Sequence, residues 1–177
     1  APRRVARAWA TLALIEFENE LEHEPEVFAL LDELNASSVA LKVHDLRFAT
    51  LELSAVVYMH RNRVEQSRAA LDEMQQMVSQ FPNRQWQTLL RHDEGVLQRK
   101  LGRFDQALTD FEAAAELQKD GSNPSLLARE LNSIGMLHGR TGRFSDAALV
   151  HNEALRLARQ AGDKPEMARS LRLLGVL

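Results

Sequence analysis

Leu131-Asn-Ser-Ile-Gly-Met-Leu-His-Gly-Arg-Thr-Gly-Arg-Phe-Ser-Asp-Ala147 has a counterpart forty residues upstream, Arg91-His-Asp-Glu-Gly-Val-Leu-Gln-Arg-Lys-Leu-Gly-Arg-Phe-Asp-Gln-Ala107. Both read Gly, six residues, Gly-Arg-Phe, two residues, Ala. Extended in both directions, the same register holds Ala55, Gly95, Gly135 and Gly175 in one column, and Asn62, Gly102 and Gly142 in a second. Three more columns follow: Val64, Phe104, Phe144; Ser67, Ala107, Ala147; Met74, Ala114, Ala154. Self-similarity at a fixed period marks a stacked repeat architecture, in which each unit buries its apolar side on the next. Such an array binds something.

Each period splits into two helical segments around a short turn. Gly135 and Ala147 lie where two helix backbones can approach closely, and Gly142 can take the positive φ that ends the first segment. Gly95, Gly102, Phe104, Ala107, Phe111 and Ala114 occupy these roles one period earlier. The helices expected on this reading cover about 5–21, 26–40, 45–60, 65–80, 84–101, 105–119, 125–140, 145–161 and 166–177. Pro25 suits a helix entry, and Phe81-Pro82-Asn83, Gly121-Ser-Asn-Pro124 and Gly162-Asp-Lys-Pro165 supply stops.

These residues resemble the tetratricopeptide repeat, whose helix–turn–helix unit carries an aromatic or Leu, then Leu-Gly, an aromatic, and later Ala, Phe and Ala. The resemblance is strongest over 88–121 and 128–161, fair over 48–81 and degenerate over 8–41, with a half repeat at 166–177. Three features depart from the family pattern. Leu51, Arg91 and Leu131 replace the first aromatic, Tyr58, Gln98 and His138 fill the tyrosine column, and the period is forty residues. The resemblance implies an all-α, right-handed superhelix of about four repeats plus one terminal helix, a single domain over 1–177. It also implies a partner-binding module of the kind found as a sensor beside an output domain in bacterial regulatory proteins.

Composition agrees. The 177 residues are 45% hydrophobic and 27% charged, and they contain no cysteine. That excludes a disulfide framework, a thiolate nucleophile and a cysteine-ligated metal, and it is compatible with the cytoplasm. No apolar run reaches the length of a membrane span. The start Ala-Pro-Arg-Arg, and a last helix at 166–177 whose partner helix is missing, suggest a piece of a longer polypeptide. A second copy covering that last helix, and so a homo-oligomer, is the other reading of the same feature.

In a superhelix of this kind the first helix of each pair lines the inner surface. Spacing puts Trp9, Leu12 and Glu16, then Glu52, Val56 and Met59, on that surface. Further along it places His92, Val96 and Arg99, then Arg129, Asn132, Met136 and Arg140, and finally Arg169 and Arg172. Charge changes sign along the chain: residues 1–40 hold three arginines against eight carboxylates, whereas 121–177 hold eight basic residues against five. A groove rich in Arg99, Arg129, Arg140, Arg169 and Arg172 suits an acidic peptide or carboxylate, because guanidinium offers a planar bidentate fork. A solvated arginine-rich surface is the plain alternative, since 18 of the 22 basic residues are Arg. The carboxylate clamp of some tetratricopeptide proteins is missing, its places being held by His92 and Val96, Arg129 and Ser133, and Asn132 and Met136.

Nothing supports catalysis, a cofactor or a metal. The six histidines form no metal-ligand pair with a third ligand, and no HExxH, P-loop or GxSxG occurs. His138 and His151 stand in packing columns. Trp86 reads as a packing staple, and the alternating run Glu16 to Glu26 reads as a solvated helix end. Three functions remain: a protein- or peptide-binding regulatory scaffold, a self-assembling module, and nucleic-acid binding through the C-terminal arginines. A pI near 6.1 and few aromatics speak against the last.

Overall fold

The computed structural model describes residues 24–121 and 123–177, which form eight α-helices and no strand among the described residues. These are α1 (Glu24–Leu41), α2 (His44–His60), α3 (Val64–Gln80), α4 (Arg84–Lys100), α5 (Phe104–Glu116), α6 (Pro124–Arg140), α7 (Phe144–Ala161) and α8 (Lys164–Leu174). Trp9, Leu12, Glu16 and the helix expected at 5–21 lie outside the described residues. The chain falls into two compact units, Ala1–Phe81 and Pro82–Leu177. Within each unit the helices pack in sequence order as α1 on α2 on α3, and as α4 on α5, α5 on α6, α6 on α7 and α7 on α8.

The forty-residue columns have a physical cause at each turn. Asn62, Gly102 and Gly142 all take positive φ, at 59°, 75° and 79°. The following amides, of Arg63, Arg103 and Arg143, then donate back to the carbonyls of Tyr58, Gln98 and His138 at 2.8, 2.9 and 2.9 Å. This six-to-one bond satisfies a carbonyl that the helix end would otherwise leave open, and it ends each first helix at the same residue. Asn62 shows why the column admits Asn as well as Gly, since Asn tolerates the left-handed region better than other residues with a Cβ.

First helices start with a second periodic device. The side chains of Asn83, Asn123 and Asp163 accept from the amides of Trp86, Leu126 and Glu166. Val43 stands one period upstream at the start of α2, with φ −97° and ψ 106° and no side-chain cap. Because that backbone is close to the one Asp163 uses (φ −80°, ψ 91°), Val43→Asn is expected to stabilise the protein by about 0.5–1 kcal/mol. Urea unfolding of the variant checks this. Asn123→Ala is expected to lose about the same amount.

The helices differ from expectation at two ends. The helix expected at 105–119 stops at Glu116 and continues as turns to Asp120, which Arg84 holds by an ion pair. The terminal helix begins at Lys164 and ends at Leu174, so Val176 and Leu177 follow it outside the helix. Trp86 is buried, as a packing residue should be.

In the first unit Phe48, Leu51, Leu53, Ala55, Val57, Leu71 and Met74 are buried. Arg47 ties three helices together, donating to Asn35 Oδ1 at 2.8 Å and pairing with Glu73. In the second unit Ala107, Phe111, Ala115, Ile134 and Leu137 form one apolar cluster, and Ala128, Ala154, Leu157 and Ala158 form another. Gly95 and Gly135 are required by close approach. A Cβ on Gly95 would stand 2.7 Å from the Phe111 ring, and one on Gly135 would stand 2.6 Å from the His151 ring. A helical glycine loses about 1 kcal/mol against alanine, so its presence twice in one column reflects the ring that fills its space.

Candidate functional site

The first helices of the second unit, α4, α6 and α8, carry most of the residues expected to line a binding surface. Two of those residues are not on a surface at all. His92 is 8% exposed and Asn132 is fully buried, because each meets a polar partner on the next first helix. His92 Nδ1 lies 2.7 Å from Glu130 Oε2, and since a carboxylate only accepts, the imidazole donates there. Asn132 Nδ2 donates to Glu166 Oε1 and to Ser170 Oγ, both at 2.7 Å. Its Oδ1 stands 2.9 Å from His151 Nδ1, which must therefore donate. Met59, expected on the groove of the first unit, is also buried, while Glu52 and Val56 are half-buried.

The buried bonds link residues 38 apart in both steps, from His92 to Glu130 and from Asn132 to Ser170. They form a polar seam between successive first helices. Buried polar groups are stable in such a place only when paired, and here every atom of the Asn132 amide has a partner. Glu130 is completely buried and also accepts from Arg129 Nε at 3.3 Å. Burial holds the pKa of His92 below its ordinary value, with Arg129 and Arg169 adding to the effect and Glu130 opposing it. Burial likewise lowers that of His151, assisted by Arg169 and His138.

The sign of the resulting pH dependence follows from the unfolded chain, where histidine takes up its proton near pH 6.5. In the folded protein both rings protonate at lower pH, so below about 6.5 the unfolded chain binds more protons and stability declines as pH falls. We expect the midpoint of thermal unfolding to drop between pH 7 and pH 5. His151→Phe, which installs the residue that Phe111 supplies one period earlier, should flatten part of that drop.

The arginines remain. Arg129 and Arg169 have side chains 25% and 29% exposed, Arg99 is half-buried, and Arg140 and Arg172 are exposed. Arg99 Nε and Arg129 Nη2 are buried without a hydrogen-bond partner. Arg169 stands 3.7 Å from Glu166 Oε1 on its own helix. Arg140 lies over the Phe104 ring at 5.9 Å. Burial lowers the pKa of Arg99 from its usual value, and the charges of Arg140 and Arg169 add to the effect. Val96 packs half-buried against the apolar cluster around Phe111, and Met136 helps line a cleft of about 210 Å³ with Gly139, Arg140, Phe144, His151 and Leu173.

Among the described residues no group of His, Asp and Glu could hold a metal ion, and no helix is long and apolar enough to cross a membrane. Sequence reasoning missed Glu130, Glu166 and Ser170. A visible signal existed for Glu130, which stands in the column that Leu90 and Thr50 fill one and two periods earlier.

Known proteins agree with this architecture. No curated protein sequence matches the chain significantly. The fold is similar to that of a Signal Transduction ATPase with Numerous Domains protein with a tetratricopeptide repeat sensor from Pyrococcus horikoshii, with a TM-score of 0.72 and 17% identity. That likeness covers 93% of this chain and 25% of the other, so the chain spans about a quarter of that protein's length. It is also similar to BtubC from P. vanneervenii, with a TM-score of 0.65 and 15% identity over 99% of this chain and 82% of that one. The family model of the tetratricopeptide repeat matches residues 90–160, the stretch that contains the left-handed turns at Gly102 and Gly142 and both glycine–ring contacts. Residues 90–160 thus match the tetratricopeptide repeat, and the chain has the stacked helix-pair fold of the solved structures it resembles.

Proposed function

We propose that this chain is a protein- or peptide-binding module and that an acidic segment of its partner lies along α4, α6 and α8. The observation that carries the reading is the set of arginines on those helices, of which Arg99 and Arg140 have no carboxylate partner among the described residues. Arg99, half-buried with its Nε unbonded, keeps an unmet demand for an anion, since that group has given up water without gaining a bond, and the exposed Arg140 adds a second positive charge. The module acts without catalysis, as the regulatory or sensor part of a larger cytoplasmic, bacterial signalling or transcription-regulating protein. The tetratricopeptide repeat sensor named in the Pyrococcus horikoshii protein supports that role by analogy.

Fluorescence anisotropy with labelled acidic peptides tests the reading. Binding that weakens steadily with salt, and that falls about tenfold or more on Arg99→Gln with Arg140→Gln, is expected. Equal affinity for acidic and neutral peptides would remove it.

A second reading, self-assembly, is favoured by α8 and the residues after it. Leu171, Val176 and Leu177 are 51%, 72% and 43% exposed, an apolar strip that a second copy could cover. Light scattering across concentration decides between the two, because assembly through this strip predicts a mass that doubles on concentration and reverts with Leu171→Glu.

A further inference from the structure

We infer that the cleft walled by α6, α7 and α8 is an anchor site for one large apolar side chain of the partner, of phenylalanine size, carried by an acidic stretch of peptide. This rests on the peptide-binding reading above and adds to it the chemistry of one position in the ligand.

The cleft traces to one column of the repeat. Met59, Arg99 and Gly139 stand forty residues apart, each next to the last residue of its helix in α2, α4 and α6. Met59 is buried, and Arg99 runs inward far enough for its Nε to be buried. Both earlier repeats therefore place a long side chain where the third has none. Gly135, one turn before Gly139, differs, because a Cβ there would meet the His151 ring at 2.6 Å and that ring already fills its space. A Cβ on Gly139 would meet only Leu177 Cδ2, at 3.4 Å, and Gly139 lines the cleft of about 210 Å³.

Size and lining define what enters. An apolar cavity of about 150 Å³ holds a benzene ring. The cleft, at about 210 Å³, therefore admits a phenylalanine ring together with its methylene. Sites for drug-sized molecules start near 300 Å³, above this volume. Met136, Phe144 and Leu173 form apolar wall, and Phe144 is 55% exposed, so an incoming ring finds an aromatic partner that the fold has not covered. The Met136 thioether suits contact with such a ring as well. Among the lining residues Arg140 alone carries a fixed charge, and it is exposed, so a ring flanked by carboxylates is favoured over one flanked by cations.

The labelled peptides Glu-Glu-Phe-Glu-Glu and Glu-Glu-Ala-Glu-Glu, with N-acetylphenylalanine as a compact probe, test the assignment. Anisotropy should show the phenylalanine form binding about tenfold tighter than the alanine form. Gly139→Met, which installs the residue that Met59 supplies two periods earlier, should bring the two forms to the same affinity. Leu149→Ala, which removes an exposed apolar group of α7 outside the cleft, should keep the tenfold ratio. Gly139→Met should also raise the midpoint of thermal unfolding, since it exchanges a helical glycine for a better helix former, and lost binding is then not lost folding. With labelled methionine methyl groups, N-acetylphenylalanine should shift the Met136 resonance saturably.

If the two peptides bind the native protein equally, the acidic groove stands and the anchor site falls. A tenfold gain that survives Gly139→Met also overturns the inference. If neither peptide binds while N-acetylphenylalanine still shifts Met136, and Gly139→Met abolishes that shift, the cleft stands and the peptide reading falls. A mass that doubles on concentration and reverts with Gly139→Met puts a second copy in the cleft and overturns the inference.

Discussion

Asn132→Leu is expected to lower the stability of the protein by about 3–5 kcal/mol, one of the two largest effects foreseen for a single residue. The side chain is fully buried and serves three partner groups at once. Its removal leaves Glu166 Oε1 without the donor at 2.7 Å, takes away a bond from Ser170 Oγ, and strands the His151 Nδ1 proton. Each buried polar group left unpaired costs about 1–3 kcal/mol, and more when it is charged, so Glu166 dominates the sum. Leucine has the same branched heavy-atom skeleton as asparagine, which leaves no cavity, so that the loss of the polar bonds dominates. Urea unfolding gives the loss. Combining the change with His151→Phe should cost less than the two changes added, since the second removes a group that the first leaves stranded.

Gly95→Ala should change sign with its neighbour. In the native protein the added Cβ would stand 2.7 and 2.8 Å from two atoms of the Phe111 ring, a separation that forces the ring or the helix to move. Overpacking of this sort costs about 1–3 kcal/mol, against a gain of about 1 kcal/mol from alanine's better helix propensity, so a net loss is expected. With Phe111→Leu in place the ring is gone and only the propensity gain remains. The protein itself supplies the precedent, because Ala55 and Leu71, both buried, hold the same two columns in α2 and α3. A double-mutant cycle should give a coupling of about 1–3 kcal/mol, the overpacking cost itself. Independent behaviour of the two changes would mean that the column is kept small for another reason.

That pair also shows why the fold was legible in the sequence. A glycine facing a ring, and an asparagine or glycine at a left-handed turn, are demands made by backbone geometry, and geometry recurs with the repeat. Asn62, Gly102 and Gly142 could be read as one position before any helix was placed, and so could Gly95 and Gly135. The interior polar seam was much less legible. His92 and Asn132 lie at spacings that suit a groove, and a polar side chain on that face looks the same whether it meets water or another polar group. Its partner sits 38 residues on, out of step with the forty-residue columns, so comparing columns does not bring the two together. The arginines were legible as a set, but which of them cluster depends on how far each helix is displaced along its neighbour.

That displacement has a consequence for how a ligand is read. Since bonds join residues 38 apart in a chain that repeats every 40, each first helix of the second unit is advanced by two residues, about 3 Å at 1.5 Å per residue, relative to the one before. Over two steps, from α4 to α8, the advance reaches about 6 Å. It moves Arg169 from the level of Leu89 to that of Asp93, about a turn nearer to Arg99. Equivalent positions in the three helices therefore lie on a diagonal. An extended chain laid straight across them would meet a different repeat position at each crossing, so a partner could be recognised by the order of its residues even where two repeats offered the same side chain.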